Sequence, residues 1–421
     1  MSQKYQKPRG MQDWLPQDNI YWNEITNIFV EICQSAGLER ISTPIVENTE
    51  LFSRAVGEQT EVVSKEMYTF NDRSDNSLTL KPESTAGVVR AYIENGLASQ
   101  PKPIGLYYIE PHFRYERPQA GRYRQHHQLG VEIFGDSTAT SDVHTIKLAS
   151  RLLDRLGIKT MLAINSIGSK EDRAKYKDAL QKYFEPYRAD LPEINRIQLE
   201  KNPLRILDTK DDDVKPMVVD APHILDYLGK ESSARFAEIL EMLEASNVAY
   251  ELNSRLVRGL DYYNGVVFEF IAERTEARDS IGGGGRYDSL VEQMGGVPTP
   301  AVGFGLGVER IRMELEAANF TPKNRDIDVF VAAIGKEATT LAEAVREQLL
   351  DSGLNVRANF TKKSIGDQLA IAAKQQAKYC VVIGEREAKQ TEVIVKEMAS
   401  GNQQTEPIDG LADKLKEHLR A

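Results

Sequence analysis

The chain has 421 residues, a length that predicts two or three domains. Its net charge of −10 and isoelectric point near 5.4 exclude a protein that coats nucleic acid through a broad basic field, but not one that contacts it through local arginine clusters. Its two cysteines, Cys33 and Cys380, stand far apart, which excludes a disulfide framework and a CxxC metal site.

The chain shows no signal for membrane insertion or secretion. No apolar segment reaches the ~20 residues that a membrane-spanning helix needs. Residues 1–16 contain no apolar core of the kind that a signal peptide carries. We therefore expect a cytoplasmic protein with no membrane attachment.

The N-terminal part predicts a long helix followed by a sheet. Between residues 20 and 36 apolar residues recur at helical spacing, and Gly37 stands where a C-terminal cap would. Pro44 then interrupts a strand-like run, which indicates an edge, a bulge or a boundary between chains. Further strand-like segments lie at 78–81, 104–110, 129–134 and 266–271. Their hairpin-sized connections favour a largely antiparallel sheet over repeated βαβ units.

The remaining segments predict an insertion and a second domain. Residues 166–250 are charge-rich with helical periodicity, which predicts a helical insertion that splits the sheet domain. We interpret its acidic cluster at 211–213 as a solvated surface and not a metal site. After a break at 321–324, short β-rich runs alternate with helical patterns, as in a compact α/β domain. The sequence thus predicts an α+β protein with domains at 1–325 and 326–421.

Four arginines lie close together between two strand-like segments in residues 113–135: Arg114, Arg117, Arg122 and Arg124. Guanidinium groups bind phosphate or carboxylate oxygens with a planar fork of donors. The pattern predicts two strands joined by a long loop that can hold a polyphosphate or reach the end of an RNA. A charged hairpin exposed to water is the alternative.

Residues 257–263, VRGLDYY, place one arginine, one carboxylate and two tyrosines in a turn before an apolar strand. Arg258 can offer its fork to a carboxylate or phosphate. Tyr263 can close a pocket that is apolar in body and polar at its tip. For an isolated segment of this kind, a surface turn with a salt bridge is the alternative.

Two glycine-rich segments indicate close approach of a ligand to the backbone. GFGLG at 303–307 precedes a helix whose start carries Arg310, where small residues could let a flat base lie against the backbone. GGGG at 282–285 precedes Tyr287, with a flexible turn as the alternative. Neither segment has the GxGxxG of a dinucleotide loop or the GK[ST] of a P-loop, which disfavours a dehydrogenase domain.

Two further polar positions carry predictions. Glu83 follows a strand and Pro82, and would suit an ammonium group if the sheet brings it near Glu132. His126 and His127 have no Cys, His or carboxylate at a familiar ligand spacing, so the sequence predicts no metal motif there.

Together these segments resemble the class II aminoacyl-tRNA synthetases, and within them the bacterial histidyl-tRNA synthetases, over almost the whole chain. Residues 39–47, 113–135 and 303–310 are similar to the three class motifs, the first of them at the dimer interface. Residues 256–265 and 282–288 resemble the two histidine-specific motifs. The resemblance implies a catalytic domain on a mainly antiparallel sheet flanked by helices, with a helical insertion and a C-terminal α/β anticodon-binding domain.

The resemblance also implies the reaction. L-Histidine would be activated with ATP to histidyl-adenylate, with pyrophosphate leaving, and then transferred to the 3′ end of tRNA(His). Mg²⁺ would accompany ATP, and the protein would be a homodimer. Such transfers depend on positioning and charge neutralisation and need no protein nucleophile.

Each matching residue acquires an expected role. Glu83 and Thr85 would hold the amino group of histidine, and Gln128 would help to orient it. The imidazole would be read by Glu132 and Tyr263, in a pocket lined by Tyr287. The ATP-binding residues would be Arg114, Glu116, Arg122, Tyr123 and Arg310.

The catalytic and tRNA-contacting residues follow in the same way. Arg258 would be the catalytic residue, beside the α-phosphate and the substrate carboxylate. Arg117 and Gln119 would contact the acceptor end of the tRNA, and residues 326–421 would read unstacked anticodon bases.

One departure and one alternative accompany the resemblance. Residues 81–85 read KPEST where the family pattern is RPEGT, so Lys81 keeps the charge and Ser84 replaces a glycine. The alternative function is the catalytically inactive, histidine-binding regulatory subunit of ATP phosphoribosyltransferase. That paralogue usually lacks the anticodon-binding domain and the arginine of VRGLDYY, and both are present here.

Overall fold

A computed structural model describes residues 5–57, 60–119, 121–207, 209, 211–274, 280–320, 322, 326–361 and 364–420. The chain divides into two compact units, residues 1–322 and 323–421. Most of the predicted break at 321–324 lies outside the described residues. Among the helices of these described ranges, none has the length and apolar character needed to cross a membrane.

The first unit is built on a large sheet. Its strands are β1 (Glu39–Arg40), β2 (Val46–Asn48), β3 (Tyr68–Asn71), β4 (Ser77–Leu80), β5 (Ile104–Phe113), β6 (Gln125–Phe134), β7 (Thr160–Ser166), β8 (Tyr250–Leu252), β9 (Asn264–Ala272), β10 (Ser280–Arg286) and β11 (Ala301–Gly307). The large sheet has the order β1, β5, β6, β11, β10, β9, β7, β8, while β2, β4 and β3 form a small antiparallel sheet. In the large sheet, β1 with β5 and β7 with β8 are parallel and the other neighbours are antiparallel, which confirms the prediction of a mainly antiparallel sheet.

Helices cover both faces of this sheet. They are α1 (Pro16–Ser35), α2 (Thr49–Val56), α3 (Thr85–Glu94), α4 (Ala139–Arg155), α5 (Lys170–Phe184), α6 (Glu193–Lys201), α7 (Lys215–Val218), α8 (Lys230–Ala245), α9 (Leu290–Gln293) and α10 (Val308–Ala317). Helices α1, α4, α8 and α10 contribute to the core on one face, and α2, α3 and α9 to the core on the other. The period-2 alternation of strand side chains assigns each residue to one of these faces, so Tyr107 lies in the first core and Tyr108 in the second.

The helical insertion has its own small core. This core involves a shorter stretch of chain than the 166–250 that the sequence pattern indicates. Residues from Tyr176 to Ile224 pack into a separate apolar cluster. Helix α8 instead packs against α4, with Phe236, Ile239 and Leu243 in the main core. Its charge-rich exposed face resembles that of the insertion, so the composition of 166–250 conceals that α8 covers the sheet.

The second unit is an α/β domain, as predicted. Its elements are β12 (Val329–Ala333), α11 (Lys336–Asp351), β13 (Val356–Ala358), α12 (Ile365–Lys374), β14 (Tyr379–Ile383), α13 (Glu385–Gln390), β15 (Glu392–Glu397), β16 (Gln403–Pro407) and α14 (Leu411–Arg420). The strand order is β13, β12, β14, β15, β16, with β12 parallel to both of its neighbours and the last two pairings antiparallel. Strand β12 is buried along its whole length, as expected for a central strand with helices on both faces.

The run GGGG is not a flexible turn but part of strand β10, held between β9 and β11. The neighbouring backbone is so close that a β-carbon at Gly284 would lie 1.9 Å from the carbonyl oxygen of Gly303. Glycine is therefore required there for space.

We expect Gly284→Ala to lower the free energy of unfolding by about 1–3 kcal/mol or more, because the added methyl group must displace backbone. Gly259→Ala is the matched control, since no heavy atom of the described residues, apart from its two chain neighbours, lies within 4 Å of the position that an added β-carbon would take there. Chemical denaturation of both variants measures the difference. Equal stability of the two would contradict the close strand approach.

Candidate active site

One face of the β5–β6 pair forms the centre of the candidate site. The register places Leu106 opposite Glu132, so alternate residues of β5 lie on the same face as Glu132. Tyr108, on that face, donates its hydroxyl to Glu132 at 3.2 Å. The carboxyl group of Glu132 is buried, with the residue only 1% exposed.

Two more hydroxyl groups from other elements converge on Glu132. Thr85, at the start of α3, donates to one carboxylate oxygen at 2.9 Å, and Tyr287 donates to the other. Burial nevertheless raises the pKa of Glu132 to about 8, with a contribution from the charge of Glu83. A buried carboxyl with this pKa is neutral in the free protein at pH 7 and favours a ligand that brings a positive charge or an N–H donor.

The turn that precedes α3 places a second carboxyl group beside the first. Glu83 is 3% exposed, and its two oxygens accept the backbone N–H groups of Thr85 and Ala86 at 2.8 and 2.9 Å. These bonds cap the positive end of the helix. Burial still raises the pKa of Glu83, so it too favours a cationic partner. The structure therefore brings Glu83, Thr85 and Glu132 together.

Glycines on β11 make room for side chains of β6. A β-carbon at Gly303 would lie 1.8 Å from the carboxylate of Glu132, and one at Gly305 would lie 2.9 Å from the amide oxygen of Gln128. The sequence interpretation placed a ligand base against these glycines. In the structure, Glu132 and Gln128 occupy that space.

Glycines on β10 do the same for the VRGLDYY segment. A β-carbon at Gly283 would lie 3.1 Å from the guanidinium of Arg258, and one at Gly285 would lie 2.9 Å from the ring of Tyr263. We call the residues Gly283, Gly285, Gly303 and Gly305 the glycine floor. The predicted histidine-reading and catalytic side chains lie directly across it.

Arg258 is held over this floor with donors to spare. One of its terminal nitrogens bonds Glu269 of β9, and its guanidinium carbon lies 5.9 Å from the centroid of the Tyr263 ring. Burial opposes its charge, but Glu269 and Tyr263 outweigh the burial and raise the pKa of Arg258. Its Nε is buried without a hydrogen-bond partner in the described part of the chain. Arg258 can therefore donate to an incoming anion while keeping its bond to Glu269.

The loop between β5 and β6 carries a second set of charges, as the sequence predicts. Arg114 donates from Nε to the carbonyl of Pro82 at 2.8 Å and lies 4.0 Å from Glu116. Arg122 lies 3.7 Å from Glu116, and its Nε has no partner among the described residues. Arg114, Glu116 and Arg122 are all partly buried, whereas the predicted tRNA contacts at 117 and 119 are exposed.

The other predicted ATP residues border this loop. Arg310, in the first turn of α10, donates to the carbonyls of Gly121 and Ser280 and so ties the loop to β10. Tyr123 is partly buried just before β6. Arg310 thus contacts the loop that carries Arg114, Glu116 and Arg122.

A cleft of about 810 Å³ joins these groups to the insertion. The sheet part contributes Arg114, Arg122 and Arg258 to its walls. The insertion side contributes a row of cations, Lys170, Arg173, Lys177, Lys201 and Arg205. Acidic residues also line the cleft, among them Glu66, Glu116 and Asp261, but the cations outnumber them and suit a polyanion. Glu83 and Glu132, which are buried at the sheet face, suit a cationic group.

Sequence reasoning missed several residues of the site. Tyr108 and the fully buried Tyr262 stand beside assigned residues, and the alternation of β5 could have revealed the first. Arg173 donates to the carbonyl of Tyr263 at 2.8 Å, and Arg205 pairs with Asp261 at 3.0 Å. No sequence signal indicates these two contacts, because they join helices of the insertion to a distant turn.

The structure gives the histidine pair a packing role. His127 bonds Glu309 at 2.8 Å and packs against Trp14 and Trp22. His126 packs against the ring of His112, and burial lowers the pKa of His126 to about 3. In the described ranges, no three His, Cys, Asp or Glu side chains are grouped closely enough to hold a metal ion.

Comparison with protein families matches two parts of the chain. A family model described as histidyl-tRNA synthetase matches residues 10–171 and 173–311. A model described as anticodon binding domain matches residues 328–418.

Curated relatives match nearly the whole length. Histidine--tRNA ligase of Thermosynechococcus vestitus is 45% identical over 399 residues, covering 94% of this chain and 93% of the relative. Histidine--tRNA ligase of Caldanaerobacter subterraneus subsp. tengcongensis is 42% identical over 411 residues, covering 97% of this chain and 99% of the relative.

Solved structures also match the chain over most of its length. Apo histidyl-tRNA synthetase of S. aureus has a TM-score of 0.84 at 32% identity, covering 98% of this chain and all of that one. A Bacillus halodurans protein described as ATP phosphoribosyltransferase regulatory subunit/histidyl-tRNA synthetase has a TM-score of 0.66 at 22% identity, over 91% of this chain and all of that one, and shows the fold alone. The family models, the curated relatives and the first of these structures together show that the chain belongs to the histidyl-tRNA synthetase family.

Proposed function

We propose that the chain activates L-histidine with ATP to histidyl-adenylate and transfers the histidyl group to the 3′ end of tRNA(His). The observation that carries this proposal is the arrangement of the buried Glu132 and its three hydroxyl donors on the same glycine floor as Arg258, which lines a cleft together with Arg114 and Arg122. Carboxyl groups suit the cationic parts of the amino acid. Arginines suit the phosphates and the substrate carboxylate.

The amino acid lies over the glycine floor. Glu83 and Thr85 take the α-ammonium group, with Gln128 orienting it. Glu132 and Tyr263 take the imidazole, and Tyr287 closes the pocket while holding the Glu132 carboxyl in place. A different side chain leaves these buried polar groups unpaired, which supports discrimination of about 10⁴-fold or more.

The activation step needs charge neutralisation around the α-phosphate. Arg258 stabilises the negative charge that develops there as the histidine carboxylate attacks and pyrophosphate leaves. Arg114, Glu116, Arg122, Tyr123 and Arg310 bind ATP at the loop end of the cleft. The Nε atoms of Arg122 and Arg258 support both roles, because they are buried donors without a hydrogen-bond partner among the described residues.

Two carboxylates of the cleft fit the Mg²⁺ that accompanies ATP. Burial and the charge of Glu116 raise the pKa of Glu66, so a cation near both would relieve their repulsion. Magnesium is commonly held by one or two carboxylates together with substrate phosphates. Glu66 and Glu116 would hold the ion, which neutralises charge on the polyphosphate.

The exposed part of the β5–β6 loop and the C-terminal unit would contact the tRNA. Arg117 and Gln119 are exposed on the loop and available to the acceptor end, while the C-terminal unit reads the anticodon.

A second copy of the chain covers the small sheet, where Ile45, Val46 and Phe70 are exposed by 44%, 39% and 44%. The free, buried thiols of Cys33 and Cys380 suit a reducing cytoplasm.

The enzyme is favoured over the regulatory subunit of ATP phosphoribosyltransferase. The match to an anticodon binding domain at 328–418 and the placement of Arg258 in the cleft are features of an enzyme that charges tRNA. ATP–pyrophosphate exchange with each of the twenty amino acids tests the proposal. Exchange with histidine alone supports it, and a folded protein that binds histidine without exchange contradicts it.

We expect Arg258→Ala to slow single-turnover adenylate formation by about 10²–10³-fold, the typical effect of removing one donor to transition-state charge. Arg258→Lys keeps the charge without the fork and should recover only part of this rate. Rapid-quench measurement with saturating ATP and histidine distinguishes them. A rate in Arg258→Ala close to that of the wild type would remove its catalytic role.

We expect the pH dependence of histidine binding to reflect Glu132. Below its pKa of about 8 the free carboxyl is protonated, and this proton can pass to the bound imidazole without uptake from solvent. Above that pH the carboxyl is ionised, so forming the same imidazolium–carboxylate pair takes up a proton and affinity falls.

Calorimetry in buffers of different ionisation enthalpy measures the number of protons that are taken up when histidine binds. Glu132→Gln is the control, because it removes the titration at 132 while the α-amino group of histidine still titrates. The wild type should take up more protons than Glu132→Gln above pH 8 and show no such excess at pH 7. Release of a proton by the wild type at pH 7 would contradict the assignment.

We expect Arg117→Ala to weaken tRNA charging by about tenfold while leaving pyrophosphate exchange within about twofold, because it removes one exposed phosphate contact. Arg151→Ala, an exposed arginine on α4, is the matched control. The effect should shrink at high salt. Equal losses in both reactions would argue against a tRNA contact.

A further inference from the structure

The segment 81–84, which we call the 81–84 turn, is attached to the same face of β5 that carries Tyr108. Lys81, 1% exposed, bonds Glu110 at 2.8 Å. Ser84, also 1% exposed, bonds Nε2 of His112 at 2.7 Å, and His112 is fully buried. Positions 108, 110 and 112 alternate along β5, so a single strand face supports both Glu132 and the 81–84 turn.

The bond from Ser84 to His112 changes what caps helix α3. A serine at this position normally accepts a backbone N–H of the first turn. Here the Ser84 side chain makes no capping bond, and Glu83 accepts the N–H groups of Thr85 and Ala86 instead. The orientation of the Glu83 carboxylate therefore depends on where Ser84 is held.

The 81–84 turn also reaches the ATP end of the cleft. Arg114 donates to the carbonyl of Pro82, and the backbone N–H of Phe113 donates to the carbonyl of Lys81 at 3.0 Å. The turn that carries Glu83 thus has attachments on both sides. Of these, the Ser84–His112 bond is adjacent to both Glu83 and Thr85.

His112 has the properties of a residue that holds a hydrogen-bond partner in one position. Burial, together with the neighbouring His126 ring and the charges of Lys81 and Arg114, lowers the pKa of His112 well below the usual range, so the ring is neutral. Its Nδ1 is buried without a partner in the described part of the chain. Among the described residues, the Ser84 hydroxyl is therefore the hydrogen-bond partner of this ring.

We propose that Ser84 and His112 are a positioning pair that sets Glu83 and Thr85 to receive the α-ammonium group of histidine. The proposal rests on the amino-group role given above to Glu83 and Thr85. It assigns to Ser84, the departure from the family pattern, a function in substrate affinity. Both residues act through their neighbours and do not touch the substrate.

The test compares two ligands that differ by the amino group alone, L-histidine and 3-(imidazol-4-yl)propanoate. Their dissociation constants are measured for the wild type, Ser84→Ala and Ser84→Thr. Ser84→Ala should weaken histidine binding about tenfold, the net effect of one buried hydrogen bond, and leave the amino-free analogue within about twofold. Ser84→Thr keeps the hydroxyl and should restore most of the histidine affinity.

A double variant and a control separate positioning from general damage. In Ser84→Ala with His112→Phe, the loss should be close to that of Ser84→Ala alone, because the bond is already broken. Ser254→Ala removes another serine–histidine contact, that of Ser254 with Nδ1 of His223 at 2.5 Å, and should leave both affinities unchanged.

Two results would overturn the proposal at different levels. Equal weakening of both ligands in Ser84→Ala, or no weakening of histidine, would show that the pair has no positioning role. Equal affinity of the wild type for both ligands would remove the amino-group role of Glu83 and Thr85 itself, and the positioning proposal with it. Pyrophosphate exchange by the wild type reports separately on the proposed function.

Discussion

The antiparallel register of β5 against β6 is the constraint on which the site depends. It places Leu106 opposite Glu132 and so puts Tyr108 and Glu132 on one face, away from the main helical core. A slip of one residue would turn every side chain of β6 to the opposite face. Glu132 would then enter the apolar core formed with α1 and α4, and the hydroxyl groups of Thr85 and Tyr287 would lose their acceptor.

Two buried carboxyl groups at the sheet face and the cations that line the cleft make up the charged part of the site. Glu83 and Glu132 are buried at the sheet face, and burial raises the pKa of both. The arginines of the β5–β6 loop and the cations of the insertion line the outer part. A small molecule with a cationic end and an anionic end is therefore oriented before it reacts, and Arg258 lies where the two regions meet.

Much of this could be predicted from the sequence, because strand alternation, the arginine loop and the histidine-specific motifs are local patterns. The placement of α8 against the sheet could not be predicted, because its exposed face has the same composition as the insertion. Contacts such as Arg173 with Tyr263, or Ser84 with His112, join residues that are distant in the chain. They depend on how the packed elements meet, and no periodicity or spacing encodes that.

The glycine floor limits how this pocket can evolve. A glycine has no side chain to shorten, so no substitution at these four positions can deepen the pocket from below. An added methyl group at Gly303 or Gly285 would strike Glu132 or Tyr263. A change in amino-acid preference must therefore arise in the walls, and a larger substrate can be admitted only by giving up the residues that recognise the present one.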